Sequence, residues 1–199
     1  DPDRPANLNT VTLPDVRQDT AGRTAHGYME IRYLLQEDLL KAADAMDAVE
    51  NRFREHFGRG GDPFFETYRC EDARFIAVSL GSLSYHLREV IDRLRDEGVE
   101  AGIMSIHLYR PFPAAAIAGG LSRAEGVIVF EKALSYGYEG ALCSDIKAAL
   151  YPAGGSKRKM PFVHNYILGL GGREIKTVQL YEAMRNSCTR GTKIETTPQ

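Results

Sequence analysis

The chain has 199 residues, 43% of them hydrophobic, with 25 basic and 27 acidic side chains and a net charge of −2. That is one domain, or one domain with an appendage, and enough apolar material for a real core. Nothing in the charge balance favours nucleic acid or an anionic membrane surface, and the longest apolar runs fall far short of the roughly 20 residues that cross a bilayer.

The opening DPDRPANLNT lacks an initiator Met and reads as an interior stretch of a longer polypeptide. Residues 1–27 are polar, with Pro2, Pro5 and Pro14, and are expected to form an extended linker or arm. From Tyr28 to Phe57, Leu35, Leu39, Ala42, Met46, Val49, Phe53 and Phe57 recur at spacings of four and three, one apolar stripe on a helix of ~40 Å. Two roles stay open for it, packing on its own domain or bridging to a neighbouring domain or subunit. Gly58, Gly60, Gly61 and Pro63 close this connecting segment at about residue 60.

Residues 61–199 then alternate. FFETYRC (64–70) and RFIAVSL (74–80) read as strands, the second nearly continuous in apolar residues, as a buried parallel strand should be. Ser82 or Ser84 can cap the helix that carries Leu87, Val90, Ile91 and Leu94 and stops at Gly98. Strand VEAGIMSIHLYR follows, then a helix after Pro113, strand GVIVFE, a helix over 140–151, a basic loop AGGSKRKM, strand PFVHNYIL and a last helix near 174–186. The tail from Ser187 is expected to fray. Strands alternating with helices predict a doubly wound α/β domain with a mostly parallel, five-stranded sheet.

Three loops stand at strand ends, where ligands and partner surfaces gather in open α/β sheets. They are Arg110-Pro111-Phe112-Pro113, the segment from Glu131 to Gly140 and GLGGRE (169–174). Pro111 restrains Arg110 to extended backbone and Pro113 can open a helix. Arg110 can hold a carboxylate or phosphate bidentately or serve a structural ion pair. The adjacent Glu131 and Lys132 fit a solvated pair better than a buried catalytic one. Tyr136, Gly137, Tyr138 and Gly140 suggest a contact surface, because tyrosines supply stiff, amphipathic area to interfaces. Gly171, Gly172 and Arg173 lack both the GxGxxG and P-loop spacings, although a helix N-terminus nearby would attract anions.

Cys70, Cys143 and Cys188 are odd in number and far apart, so no cluster or zinc site is expected from this chain, and a reducing cytoplasm fits them. Cys70 and Cys143 read as buried small hydrophobes, and His107 and His164 as packed strand residues. No two histidines have metal-ligand spacing, and GSLSY (81–85) is not the GxSxG elbow.

At these loops the chain resembles a known family. DPDRP (1–5), GSL (81–83), LYRPFP (108–113), EKALSYGYEGAL (131–142) and NYILGLGGRE (165–174) occur in that order across nearly the whole chain. Together they resemble the C-terminal half of the alpha subunit of pyruvate:ferredoxin oxidoreductase and its 2-oxoacid relatives, a region similar to the transketolase C-terminal domain. The resemblance implies a complex that oxidatively decarboxylates a 2-oxoacid. Thiamine diphosphate with magnesium, [4Fe–4S] clusters and coenzyme A would serve the whole complex, with ferredoxin or flavodoxin as electron acceptor. It implies no cofactor bound by this chain alone, because the thiamine-binding domains and the cluster cysteines lie elsewhere. The loop EKALSYGYEG is closest to the pyruvate type, with branched and aromatic 2-oxoacids open. The expected role is an interface domain contacting other domains and subunits, inactive by itself. The alternative is a module whose glycine loops at 137–140 and 169–172 hold an anion such as a coenzyme A phosphate.

Overall fold

A computed structural model of the chain describes residues 28–151 and 160–190, so the expected linker at 1–27 and the basic loop AGGSKRKM, except Met160, lie outside the described residues. The described backbone divides into two units, one up to Met46 and one from Asp47 onward. Helix α1 runs Tyr28–Phe57, as its periodicity predicts. Its stripe is open to solvent: Leu35, Leu39, Val49, Phe53 and Phe57 are between 38% and 63% exposed. The end of α1 is fixed by the turn that follows it. The Gly61 amide donates to Glu50 Oε1 (2.6 Å), and Arg54 Nη2 donates to the Gly61 carbonyl (3.3 Å).

The second unit holds strands β1 (Phe65–Tyr68), β2 (Phe75–Leu80), β3 (Ala101–Ile106), β4 (Gly126–Glu131) and β5 (Phe162–Ile167). Its helices are α2 (Leu83–Asp96), α3 (Ala114–Gly120), α4 (Ala141–Leu150) and α5 (Thr177–Arg190). The sheet order is β1-β3-β2-β4-β5, parallel throughout except for the antiparallel edge strand β1. This is the doubly wound, mostly parallel α/β architecture that the alternation of elements predicts.

Chain direction decides which face each helix covers. The step from β2 to β3 moves one way across the sheet, and the steps from β3 to β4 to β5 move the other way. With right-handed crossovers these must lie on opposite faces. Accordingly Leu87, Ile91 and Leu94 of α2 pack over Ala77, Ile103 and Phe130, joined by Leu180 and Met184 of α5. Ile117 of α3 and Leu142 and Ile146 of α4 pack over Ile76, Val78, Met104 and Val129 on the other face. Burying a side chain such as Leu87 or Ile91 stabilises the fold by about 1.5–3 kcal/mol. No helix among the described residues is long and apolar enough to cross a membrane.

Several local expectations are corrected. Ser82 occupies the N-cap of α2 but its hydroxyl makes no capping bond, and the buried Ser84 hydroxyl makes none either. β3 stops at Ile106, so His107 lies beyond the strand and is exposed, not packed. Cys70 is only half-buried, whereas Cys143 is fully buried as expected. α5 does not end before Ser187 but continues to Arg190. The reason is a polar anchor: Ser187 Oγ lies 2.9 Å from His164 Nδ1 and 3.0 Å from Tyr166 Oη, both on β5.

A candidate interface edge at the strand ends

The C-terminal ends of β2, β3, β4 and β5 share one edge of the sheet, and the chain reverses direction between β2 and β4. At that switch point the loops part to leave a shallow crevice of about 360 Å³, lined among others by Ser79, Gly81, Leu83, Tyr109, Lys132 and Leu142. The three sequence loops stand around it.

Glu131 closes β4 and is the organising residue. The alternation along β4 turns its side chain inward, where it is 5% exposed; the expectation of a solvated Glu131–Lys132 pair is therefore wrong for Glu131, while Lys132 is exposed. A buried carboxylate must be hydrogen-bonded. Glu131 accepts from the Leu142 amide at 2.9 Å, the Cys143 amide at 3.0 Å and Asn165 Nδ2 at 2.8 Å. The carboxylate thus caps the N-terminus of α4 from the neighbouring strand, where helix amides and dipole favour negative charge. Asn165 completes the junction, its Oδ1 accepting from the Gly140 amide at 2.9 Å. Gly140 is required by space: a Cβ there would stand 1.9 Å from Glu131 Oε1. The loop and β5 also meet through the backbone, Leu168 N donating to Glu131 O at 3.0 Å.

The rest of the 131–140 loop is a tight excursion. Tyr138 N donates to Ser135 O (2.9 Å), Ser135 N donates to Glu139 O (3.0 Å), and Gly137 supplies a φ of +82°. Glu139 turns back to α4, accepting from Ser144 Oγ at 3.2 Å and pairing with Lys147. Tyr136 and Tyr138 are left 94% and 73% exposed.

Arg110 makes an ion pair across the loop. Its guanidinium lies 2.7 Å from Asp145 Oδ2 on α4 and 4.1 Å above the Tyr109 ring. In the third loop, Gly169, Gly171 and Gly172 adopt φ between +64° and +80° around a short 3₁₀ turn. α5 begins only at Thr177, so these glycines do not lead directly into a helix N-terminus. Arg173 is exposed, and among the described residues neither Lys132 nor Arg173 has an ion-pair partner. The structure therefore ties Arg110 and Gly140 into one junction around the start of α4. It leaves Lys132, Tyr136, Gly137, Tyr138, Gly171, Gly172 and Arg173 as separate outward features. Asn165, Asp145 and the capping role of Glu131 escaped the sequence reading. The available signal was an Asn inside an apolar strand and an acid eleven residues before a helical Leu142.

Burial pushes the Cys143 thiol up to about 12 and the Cys70 thiol up to about 11, so neither is a thiolate near neutral pH. The three cysteines sit after β1, in α4 and in α5, and do not fit an iron–sulfur cluster, which takes four convergent thiolates. Among the described residues no three His, Cys, Asp or Glu side chains converge to fit a metal ion.

Residues 73–180 match the family model of pyruvate:ferredoxin oxidoreductase core domain II. The chain is 36% identical over 187 residues to pyruvate synthase subunit PorA of Methanothermobacter thermautotrophicus, covering 94% of this chain and 44% of that subunit. It is 34% identical over 151 residues to ketoisovalerate oxidoreductase subunit VorA of Pyrococcus horikoshii, covering 76% of this chain and 37% of that subunit. Among solved structures, a 2-oxoglutarate:ferredoxin oxidoreductase from Magnetococcus marinus is similar with a TM-score of 0.48 at 21% identity, over 69% of this chain and 21% of that chain. The chain thus spans less than half the length of the curated relatives it matches. With more than half of its length matched by the family model, the chain belongs to the pyruvate:ferredoxin oxidoreductase core domain II family.

Proposed function

We propose that this chain is an inter-domain and inter-subunit support of a thiamine diphosphate-dependent 2-oxoacid:ferredoxin oxidoreductase that works in the cytoplasm and converts pyruvate to acetyl-coenzyme A. The observation that carries the structural role is the division of labour at the strand-end edge. Glu131 is satisfied from within, by two α4 amides and Asn165, while Tyr136 and Tyr138 face outward. Stiff aromatic side chains on a braced loop are what a protein contact uses. The Leu142 and Cys143 amides that an anion would need are occupied by Glu131, which weighs against the coenzyme A phosphate reading at 137–140. Thiamine diphosphate, magnesium, the [4Fe–4S] clusters and coenzyme A would then be held by other parts of the complex, which passes electrons to ferredoxin or flavodoxin. Pyruvate is favoured by the pyruvate synthase relative. A branched 2-oxoacid is the second reading, supported by the ketoisovalerate oxidoreductase relative.

The test is a Tyr136→Ala, Tyr138→Ala double variant in the complete subunit, purified with its partner subunits. Exposed substitutions should leave its melting temperature nearly unchanged, within about 0.5 kcal/mol. Co-purification of partners should fall, by about ten-fold if the pair contributes ~1.4 kcal/mol of interface energy. Undiminished assembly, or pyruvate turnover by the 199-residue chain alone, would overturn the reading.

A further inference from the structure

We propose that the crevice at the switch point binds the phosphoryl group of a small phosphate monoester, held by the turn Gly81–Leu83, the Ser79 hydroxyl and Lys132. The site does not depend on the oxidoreductase assignment, and it is separate from the glycine loops at 137–140 and 169–172.

Two helices begin on this edge, and they begin differently. At α4 the Gly140, Leu142 and Cys143 amides are all taken, by Asn165 and Glu131. At α2 the N-cap Ser82 makes no side-chain cap. The first amides there to find an acceptor are those of Ser84, on Gly81 O at 3.1 Å, and Tyr85, on Ser82 O at 3.2 Å. Among the described residues the amides of Gly81, Ser82 and Leu83 meet no acceptor. Backbone shape gathers these three donors. Gly81 has a φ of +64°, and Ser82 follows at φ −62° and ψ −23°. A left-handed residue followed by a right-handed one turns successive N–H groups toward one point, a concavity that suits an anion. The dipole of the 14-residue α2 adds to the attraction.

A side chain points to the same place independently. Ser79 is fully buried, lines the crevice with Gly81 and Leu83, and its hydroxyl has no hydrogen-bond partner. An unpaired buried hydroxyl is costly, and an acceptor oxygen in the crevice removes that cost. Lys132 brings a cation from the β4–α4 loop across the switch point, exposed and without an ion-pair partner. One acid, Glu131, also lines the crevice. Strand alternation sends it the other way: Ala77 and Phe130 pack on the α2 face, so Ser79 turns toward α2 and Glu131 toward α4. There its carboxylate is held by its own three donors.

The donors select the ligand. Three amides, a hydroxyl and an ammonium match the three terminal oxygens of a phosphate monoester better than the two of a carboxylate. The crevice, about 360 Å³, continues past these donors over Leu80, Tyr109 and Leu142, which leaves room for an apolar group on the phosphate.

Isothermal titration of the complete chain with inorganic phosphate should show one site. Phenyl phosphate should bind more tightly, its ring lying on the apolar wall. Lys132→Ala should weaken both about ten-fold and Ser79→Ala about three-fold. In phosphate-free buffer Ser79→Ala should not lower the melting temperature, since the hydroxyl it removes is unpaired, yet the rise on adding phosphate should shrink. At Gly81 an added Cβ meets nothing within 4 Å, so Gly81→Ala strains only the backbone and should weaken binding. Gly81→Asn, which tolerates the left-handed conformation, should bind better than Gly81→Ala. Arg173→Ala removes another exposed cation of this edge and should change nothing. Neither heat nor thermal shift at roughly 10 mM phosphate would overturn the proposal. Equal losses in Lys132→Ala and Arg173→Ala would reduce it to a diffuse charge effect and overturn it as well. Phenyl phosphate binding no tighter than phosphate would overturn the ester and leave the free anion as ligand.

Discussion

At the scale of single residues the junction of Glu131, Gly140 and Asn165 joins two of the motifs that mark this family. Glu131→Gln keeps the shape but turns one acceptor into a donor facing backbone amides, in a site that is 5% exposed. The expected loss is about 2–3 kcal/mol, measured by urea unfolding of the variant. Gly140→Ala forces a methyl group to within 1.9 Å of the carboxylate oxygen and should cost at least as much, read in the same unfolding experiment. The sequence shows Gly140 as a loop glycine and Glu131 as half of a charged pair. It does not show their contact, because the distance between them is set by the crossover from β4 into α4. Arg110 illustrates the same limit: its chemistry allows either an ion pair or a ligand, and the sequence does not show that Asp145 on α4 lies 2.7 Å away.

Whole elements were far more legible. Apolar runs and 3.6-residue stripes point to all five strands and to the long helices, and the nearly continuous apolar run of β2 marks it as a buried parallel strand. Element ends were not, since they depend on partners remote in sequence. α5 outlasts its apolar stripe because Ser187 is held by His164 and Tyr166. Ser187→Ala should remove both bonds and lower stability by about 1–2 kcal/mol, with amide hydrogen exchange accelerating first in the last turn of α5. An Asn186→Ala control, on an exposed position of the same turn, should show neither change.

For the whole molecule, burial leaves a signature in alkaline solution. Cys143 and Cys188 are pushed up to about 12 and Cys70 to about 11, from an ordinary value of 9.0. As pH rises past 9 the unfolded chain releases these protons while the native chain retains them. Stability is therefore complete below that pH and declines between 9 and 11–12. Melting temperatures recorded from about pH 8 to 10 should fall, and the fall should be shallower in Cys143→Ala, which removes one such group. Equal slopes in the two proteins would show that other groups govern the alkaline limb. Thiol-labelling reagents at neutral pH should react slowly with the native chain and fully after denaturation.

The strand order also sets a sequence of events during synthesis. β1 to β4 and helices α2 to α4 are contributed by residues 65–150, whereas β5 and α5 come last. A nascent chain that has emerged only through α4 can already pair four strands and bury one face beneath α3 and α4. On the other face, Leu87, Ile91 and Leu94 wait for Leu180 and Met184 to arrive. Helix α5 therefore acts as a seal. Released chains truncated before residue 175 should bind a dye for exposed apolar surface such as ANS, and chains that include α5 should not.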